Sequence, residues 1–168
     1  HKGDIYQVGI VFYQLLGGRL PYDEMAWMSK SEVKHYNELT DNVDRSIYVD
    51  QCIKTKITKG KVVDLKTLPP WVPEPIKKVV RRATNYNPDK RYENATEFRA
   101  DLHKIRPSTL DWSICDGSPT LNAKTSYRIE TSDKGLKVLK RKNGDWQKVN
   151  TIKSDDLDEV VRQIESKA

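Results

Sequence analysis

The hydrophobic period of this chain changes at Pro107, and that change limits the fold more than any other feature. Before it, apolar residues recur at helical spacing, as in Ile76, Val79, Val80 and Ala83. After it they alternate with polar residues in short runs at 111–115, 126–131, 136–141 and 146–152. A side-chain period of 3.6 belongs to a helix and a period of 2 to a strand. The pattern predicts an α+β chain with a boundary near residue 107: an all-helical part over 1–106, then a small antiparallel β-meander with one C-terminal helix over 107–168. Turns are expected at Asp133-Lys134-Gly135 and Asn143-Gly144-Asp145, the Asn-Gly pair being a strong hairpin signal. Ser154 is expected to cap the last helix, whose first turn is acidic and whose Leu157, Val160, Val161 and Ile164 form one stripe.

In the helical part, residues 4–16 are apolar nearly all round, with Ile5, Val8, Phe12 and Leu15 on one stripe and Ile10, Val11, Tyr13 and Leu16 filling most of the rest. Such a helix is expected to be buried on all sides, capped by Asp4 and stopped by Gly17-Gly18. Two short helices are expected near 30–39 and 44–56. The run Leu68-Pro69-Pro70-Trp71-Val72-Pro73 excludes regular structure and leads into an amphipathic helix at about 74–84. A turn at 85–89 follows. Asn94 with Glu97 three residues on has the form of a capping box, opening a helix that faces Ala95, Phe98, Leu102 and Ile105 inward.

Composition narrows the function classes. With 36% apolar and 32% charged residues the chain is of ordinary globular make-up, and its net charge of +6 is modest. No apolar run is long enough to span a bilayer, so no membrane role is expected. Cys52 and Cys115 have no CxxC partner and no His at ligand spacing, which points to packing thiols in a cytoplasmic protein and to no metal site. His1, His35 and His103 are too far apart to argue for a metal or a nucleophile–base pair. The acidic run 155–159 lacks the glycine and spaced oxygens of a calcium loop.

Three pieces of the helical part resemble, in order and spacing, the end of the C-terminal lobe of a eukaryotic-type serine/threonine protein kinase. Residues 3–22, GDIYQVGIVFYQLLGGRLPY, are similar to that family's DxxxxG helix and GxxP[FY] exit, with Asp4 and Gly9 on the motif. Residues 73–83 followed by Asn87-Pro88-Asp89-Lys90-Arg91-Tyr92 resemble its penultimate helix and P-x-x-R-[YF] turn, and 94–105 its terminal helix. The resemblance implies positioning roles: a buried Asp4 capping its helix and bonding the catalytic-loop backbone, and Arg91 paired with a Glu at the end of the activation segment. Taken singly, Asp4 could be an N-cap only and Arg91 a solvated turn residue.

The chain has no HRD, DFG or APE motif and no glycine-rich phosphate loop, and the Glu expected to pair with Arg91 is missing. No catalytic, cofactor-binding or metal residue is therefore assigned. The chain is expected to bind no ATP and to transfer no phosphate by itself; ATP and Mg are implied for a full-length parent. The expected partners are the remainder of the kinase domain and the parent's protein substrate. Because residues 4–16 belong at the centre of a full lobe, the chain is expected to begin part-way through one and to self-associate through that helix by way of Ile5, Phe12 and their neighbours.

Residues 107–153 carry nine Lys and Arg against five Asp and Glu. Alternation puts Arg128, Lys137, Arg141 and Lys148 near Trp146 if the opposite face packs on the helix, a layout that could track phosphates. The layout has a topological similarity to three-stranded-sheet DNA-binding domains of the integrase and plant AP2 types, and to the sheet and last helix of double-stranded-RNA-binding domains. The favoured reading is plainer: a solvated outer face whose lysines oppose edge aggregation. A third reading docks a protein partner on Trp112, Trp146 or Tyr127. The alternative to a kinase portion is a noncatalytic scaffold with a kinase-like half.

Overall fold

The computed structural model describes residues 2–133 and 135–168. The chain forms two compact units, one ending at Lys104 and one running from Ile105 to Ala168. Among the described residues there are six α-helices and one five-stranded antiparallel sheet, an α+β architecture.

The first unit contains α1 (Lys2–Leu15), α2 (Lys30–Glu38), α3 (Asn42–Thr58), α4 (Glu74–Ala83) and α5 (Ala95–Ile105). The glycine pair stops α1 as expected. Gly17 takes φ +94° and donates to the Gln14 carbonyl, while Gly18 donates to the Tyr13 carbonyl, each at 2.9 Å, the two bonds of a Schellman end. Burial of α1 differs from the expectation. The buried line is Ile5, Gly9 and Tyr13, whereas Val8, Val11 and Leu15 are 44%, 54% and 80% exposed. The reason is Gly9: a methyl group there would lie 2.8 Å from both Ala83 Cβ and Thr84 Cγ2, so only glycine lets α4 approach this closely. That close approach fixes the contact line one residue away from the Ile5, Val8, Phe12, Leu15 stripe, and α1 keeps one face against solvent.

Beyond α1, the irregular Leu68–Val72 run supplies core. Tyr13, Leu68, Val72 and Val80 form one buried cluster, with Phe12, Leu16 and Ile76 packed against it. The Tyr13 hydroxyl lies 3.1 Å from the Asp64 carbonyl, 3.3 Å from the Arg19 carbonyl and 2.5 Å from the Thr67 hydroxyl, which satisfies it inside the core. α2 and α3 occur where two short helices were expected. The complete capping box is in α2, where Ser29 Oγ accepts from Glu32 N–H and Glu32 Oε2 accepts from Ser29 N–H. At α5 the box is incomplete: Asn94 Oδ1 accepts from Glu97 N–H at 3.0 Å, but Glu97 reaches the N–H of Glu93. Ala95 is exposed there, contrary to expectation, because Phe98 occupies the inward line.

The second unit contains β1 (Asp111–Cys115), β2 (Ser118–Asn122), β3 (Tyr127–Ser132), β4 (Gly135–Lys142), β5 (Asp145–Lys148) and α6 (Leu157–Glu165). The strands lie side by side in chain order. Leu121, Tyr127, Ile129 and Val138 are buried together with Val160, Val161 and Ile164 of α6. Trp112, on the same sheet face as Leu121, donates its indole N–H to Glu165 of α6 at 3.0 Å. β2 was not expected, since Ser118-Pro119 disguised it; Asp116 and Gly117, at φ 53° and 74°, turn β1 back into it. The sheet therefore has five strands, which removes the likeness to three-stranded DNA-binding sheets. The Asn143-Gly144 turn is present, with φ 52° and 93°. Lys134 of the expected 133–135 turn lies outside the described residues, as does His1. β5 ends at Lys148, short of the expected 152. Asp156, not Ser154, caps α6, because Ser154 Oγ is occupied as acceptor from Asp156 N–H and donor to Glu159. No helix among the described residues is long and apolar enough to cross a membrane.

Candidate functional site

Two clusters concentrate the chemistry, one in each unit. In the first unit Arg91 closes the turn between α4 and α5. Its Nε donates to the Asn85 carbonyl, one terminal nitrogen to the Lys2 carbonyl at 3.0 Å and the other to the Tyr86 carbonyl at 3.1 Å. Its guanidinium also lies over the Tyr6 ring, 4.8 Å from the centroid. A planar fork of donors suits this task, since one side chain can bind three backbone oxygens at once. Arg91 is thus a clamp between the first turn of α1 and the 85–91 turn, and not a solvated turn residue. Lys2 Nζ adds ion pairs at 3.3 Å to Asp89 and to Glu93 across the same junction. Burial raises the Tyr6 phenol, and the Arg91 cation opposes that rise.

The other two motif residues fall differently. Asp4 is exposed in the first turn of α1, which begins at Lys2, so it is neither the N-cap nor a buried carboxylate. Its place near the helix start still favours a negative charge. Gly9 is buried at the α1–α4 crossing.

Sequence reasoning missed Arg82. At the end of α4 it pairs with Glu97 and, at 3.4 Å, with Asp101, while its guanidinium stacks 4.0 Å from the centroid of the Tyr92 ring. Burial pushes the Tyr92 phenol up to about 12, and Asp101 adds to the rise. The Glu97 carboxyl is held below its usual range by the Glu93 N–H and then by Arg82. The legible signal was Glu97 and Asp101 at i, i+4 on α5, one carboxylate face awaiting a cation.

In the second unit, the register puts Arg128, Lys137, Arg141, Trp146 and Lys148 on the sheet face away from Leu121, Tyr127 and Ile129. Arg128 lies 4.7 Å and Arg141 6.0 Å from the Trp146 ring centroid. Lys137 pairs with Glu130 at 3.2 Å. Trp112 and Tyr127 face the other way, so they do not join Trp146 in one partner-docking patch. Among the described residues no group of three or more His, Cys, Asp or Glu could hold a metal ion.

The chain is similar to two bacterial proteins. It is 29% identical over 101 residues to the serine/threonine-protein kinase PrkC of Bacillus subtilis (strain 168), covering 60% of this chain and 12% of that protein. It is 27% identical over 136 residues to the probable serine/threonine-protein kinase PknB of Lactococcus lactis subsp. lactis (strain IL1403), covering 79% of this chain and 21% of that protein. Part of the chain is kinase-related. The relation is distant, and the chain spans about an eighth and about a fifth of those two relatives. The kinase-related region must draw on the first unit, because even the shorter match is longer than residues 105–168. The longer match also exceeds the first unit and so takes in part of the second. No family model matches the chain, and no solved structure matches it.

Proposed function

We propose that the first unit is the latter part of the C-terminal lobe of a serine/threonine protein kinase, and that the second is an interaction module appended to it. The observation that carries the reading is the Arg91 clamp, found in a chain with two kinase relatives. It ties the start of the DxxxxG-like helix to the P-x-x-R-[YF]-like turn, two of the segments on which the resemblance rests. In this reading α1 is the central helix of the lobe, and its exposed Val8, Val11 and Leu15 are covered by the remainder of the kinase domain. Asp4, in the first turn of α1, meets the backbone of the catalytic loop of that remainder. The parent transfers phosphate from ATP with Mg to protein Ser or Thr; this chain supports the geometry and supplies no phosphate ligand of its own.

The test has two arms. The coding sequence upstream of His1 should encode HRD, DFG and APE motifs, and the encoded protein should autophosphorylate with ATP and Mg. The 168-residue chain alone should neither bind ATP by calorimetry nor incorporate labelled phosphate. An upstream sequence without those motifs, or phosphate transfer by the chain alone, would overturn the reading.

A further inference from the structure

We propose that the outer face of the second unit's sheet binds single-stranded nucleic acid without sequence preference. The inference rests on this face alone and is independent of the kinase reading.

The positive charge of this face is only partly compensated. The Arg128 guanidinium is carried by the Trp146 ring, its nearest carboxylate is Asp116 at 3.9 Å, and its buried Nε has no hydrogen-bond partner among the described residues. Arg141 is directly opposite Trp146 in the register and donates to the Gly144 carbonyl at 3.3 Å, with no carboxylate partner among the described residues. Lys148 is exposed and shares a row with Leu139 and Arg128 across three strands. Among the described residues of this face Lys137 pairs with Glu130 at 3.2 Å and Arg128 more loosely with Asp116 at 3.9 Å, while Arg141 and Lys148 have no ion pair. Those two cations await an anion from outside.

Spacing and shape favour a chain of phosphates over a single anion. Lys137, Leu139 and Arg141 alternate along β4, so cationic rows recur about 6.8 Å apart along the strand, and Arg128 and Lys148 stand about 9.6 Å apart across it. The positive track continues past the sheet edge. Lys137, Lys148 and Lys153 line a cleft of about 390 Å³ in which the only carboxylate is Asp155. A flexible polyanion can follow both surfaces, with phosphates on the lysines.

The same face argues against a folded protein partner. Leu139, 6% exposed, and the polar Thr120, 3% exposed, are already covered, so apart from the half-buried Trp146 the face offers no apolar anchor of the kind that drives protein interfaces. What it does expose is a π surface of two guanidiniums around an indole, on which unpaired bases can stack and duplex bases cannot.

The test is fluorescence anisotropy of a labelled mixed-sequence 20-nucleotide DNA strand with the full chain, across a salt series. Binding should be measurable at low salt and fall with a log–log slope of about −2 to −3 for three to four phosphates. Trp146→Ala should weaken it about 5- to 100-fold. Because that variant could unfold the sheet, Arg141→Glu with Lys148→Glu, both exposed, is the second probe; with the circular dichroism unchanged it should weaken binding about 10-fold or more. Lys66→Glu with Lys78→Glu in the first unit makes the same charge change and should leave binding within about twofold. No binding at the lowest salt, equal loss in the Lys66/Lys78 control, duplex bound as tightly as single strand, or displacement by poly-glutamate at matched charge would each overturn the proposal, the last in favour of an acidic protein partner.

Discussion

A single missing methyl group sets how α1 and α4 pack. Gly9→Ala forces Ala83 or Thr84 aside from 2.8 Å contacts, and overpacking of this kind costs about 1 to 3 kcal/mol. Urea denaturation of the variant should show a lower midpoint with an unchanged slope. Tyr13 offers a complementary case, since its ring is fully buried and its hydroxyl is shared among three oxygens. Tyr13→Phe keeps the ring and removes the hydroxyl, so it should cost about 1 to 2 kcal/mol by the same measurement. Glu32 carries a pH dependence. Its carboxyl is held down to about 2, chiefly by the Ser29 N–H, so the charged form belongs to the folded state. A depressed folded pKa contributes stability that is present above the unfolded value and lost as pH falls through the folded one. The gap in thermal midpoint between wild type and Glu32→Gln should therefore be full at pH 6 and close between about pH 4.5 and pH 2. A gap that persists at pH 2 would contradict the assignment.

At the scale of elements, the clamp and the caps join pieces that are far apart in sequence. Arg91→Ala leaves the Lys2, Asn85 and Tyr86 carbonyls without their shared donor and should cost about 2 to 3 kcal/mol, since bonds from a charged donor exceed neutral ones. Arg91→Lys should recover less than half of that, because an ammonium on a flexible stem cannot hold three carbonyls and lie over Tyr6 together. Hydrogen exchange at the start of α1 would report both. These elements differ in how readable they were. α4 was plain, because Ile76, Val79, Val80 and Ala83 mark one stripe in a segment bounded by prolines. The Asn143-Gly144 hairpin was plain for a similar reason, its turn chemistry being local. β2 was hidden because Ser118 and Pro119 are poor strand formers, and it forms only through pairing with β1 on one side and β3 on the other. The buried line of α1 was hidden because eight apolar residues on a short helix leave its orientation to whatever neighbour comes closest. The Arg82–Glu97 pair and the Lys2 partner of Arg91 depend on contacts between residues 15 and 89 apart, which local pattern does not encode. The grouping of Arg128, Lys137, Arg141, Lys148 and Trp146 was legible from alternation, whereas the partial shielding of Arg128 by Trp146 needed the register.

At the scale of the molecule, one unsatisfied apolar surface is the Val8, Val11 and Leu15 face of α1, 44% to 80% exposed. The residues first expected to drive self-association are unsuited to it, since Ile5 is 4% exposed and Phe12 is edge-on to Phe98 with centroids 5.8 Å apart. Association of the isolated chain should instead run through Val11 and Leu15. Sedimentation velocity should show a concentration-dependent shift that Val11→Glu with Leu15→Glu abolishes, and a strict monomer at high concentration would count against it. The second unit has a consequence of another kind. Each of its strands pairs with the one just made, through β1-β2-β3-β4-β5 without a crossover. Chain closure at every step spans only a hairpin, so the entropy lost before each contact is small and the sheet can grow from either end. Sheets whose pairings are distant in sequence ordinarily assemble slowly; here the ordering brings sheet assembly closer to the speed of helical proteins, with the docking of α6 the one long-range step among the described contacts, and leaves little time for an exposed strand edge to meet another chain.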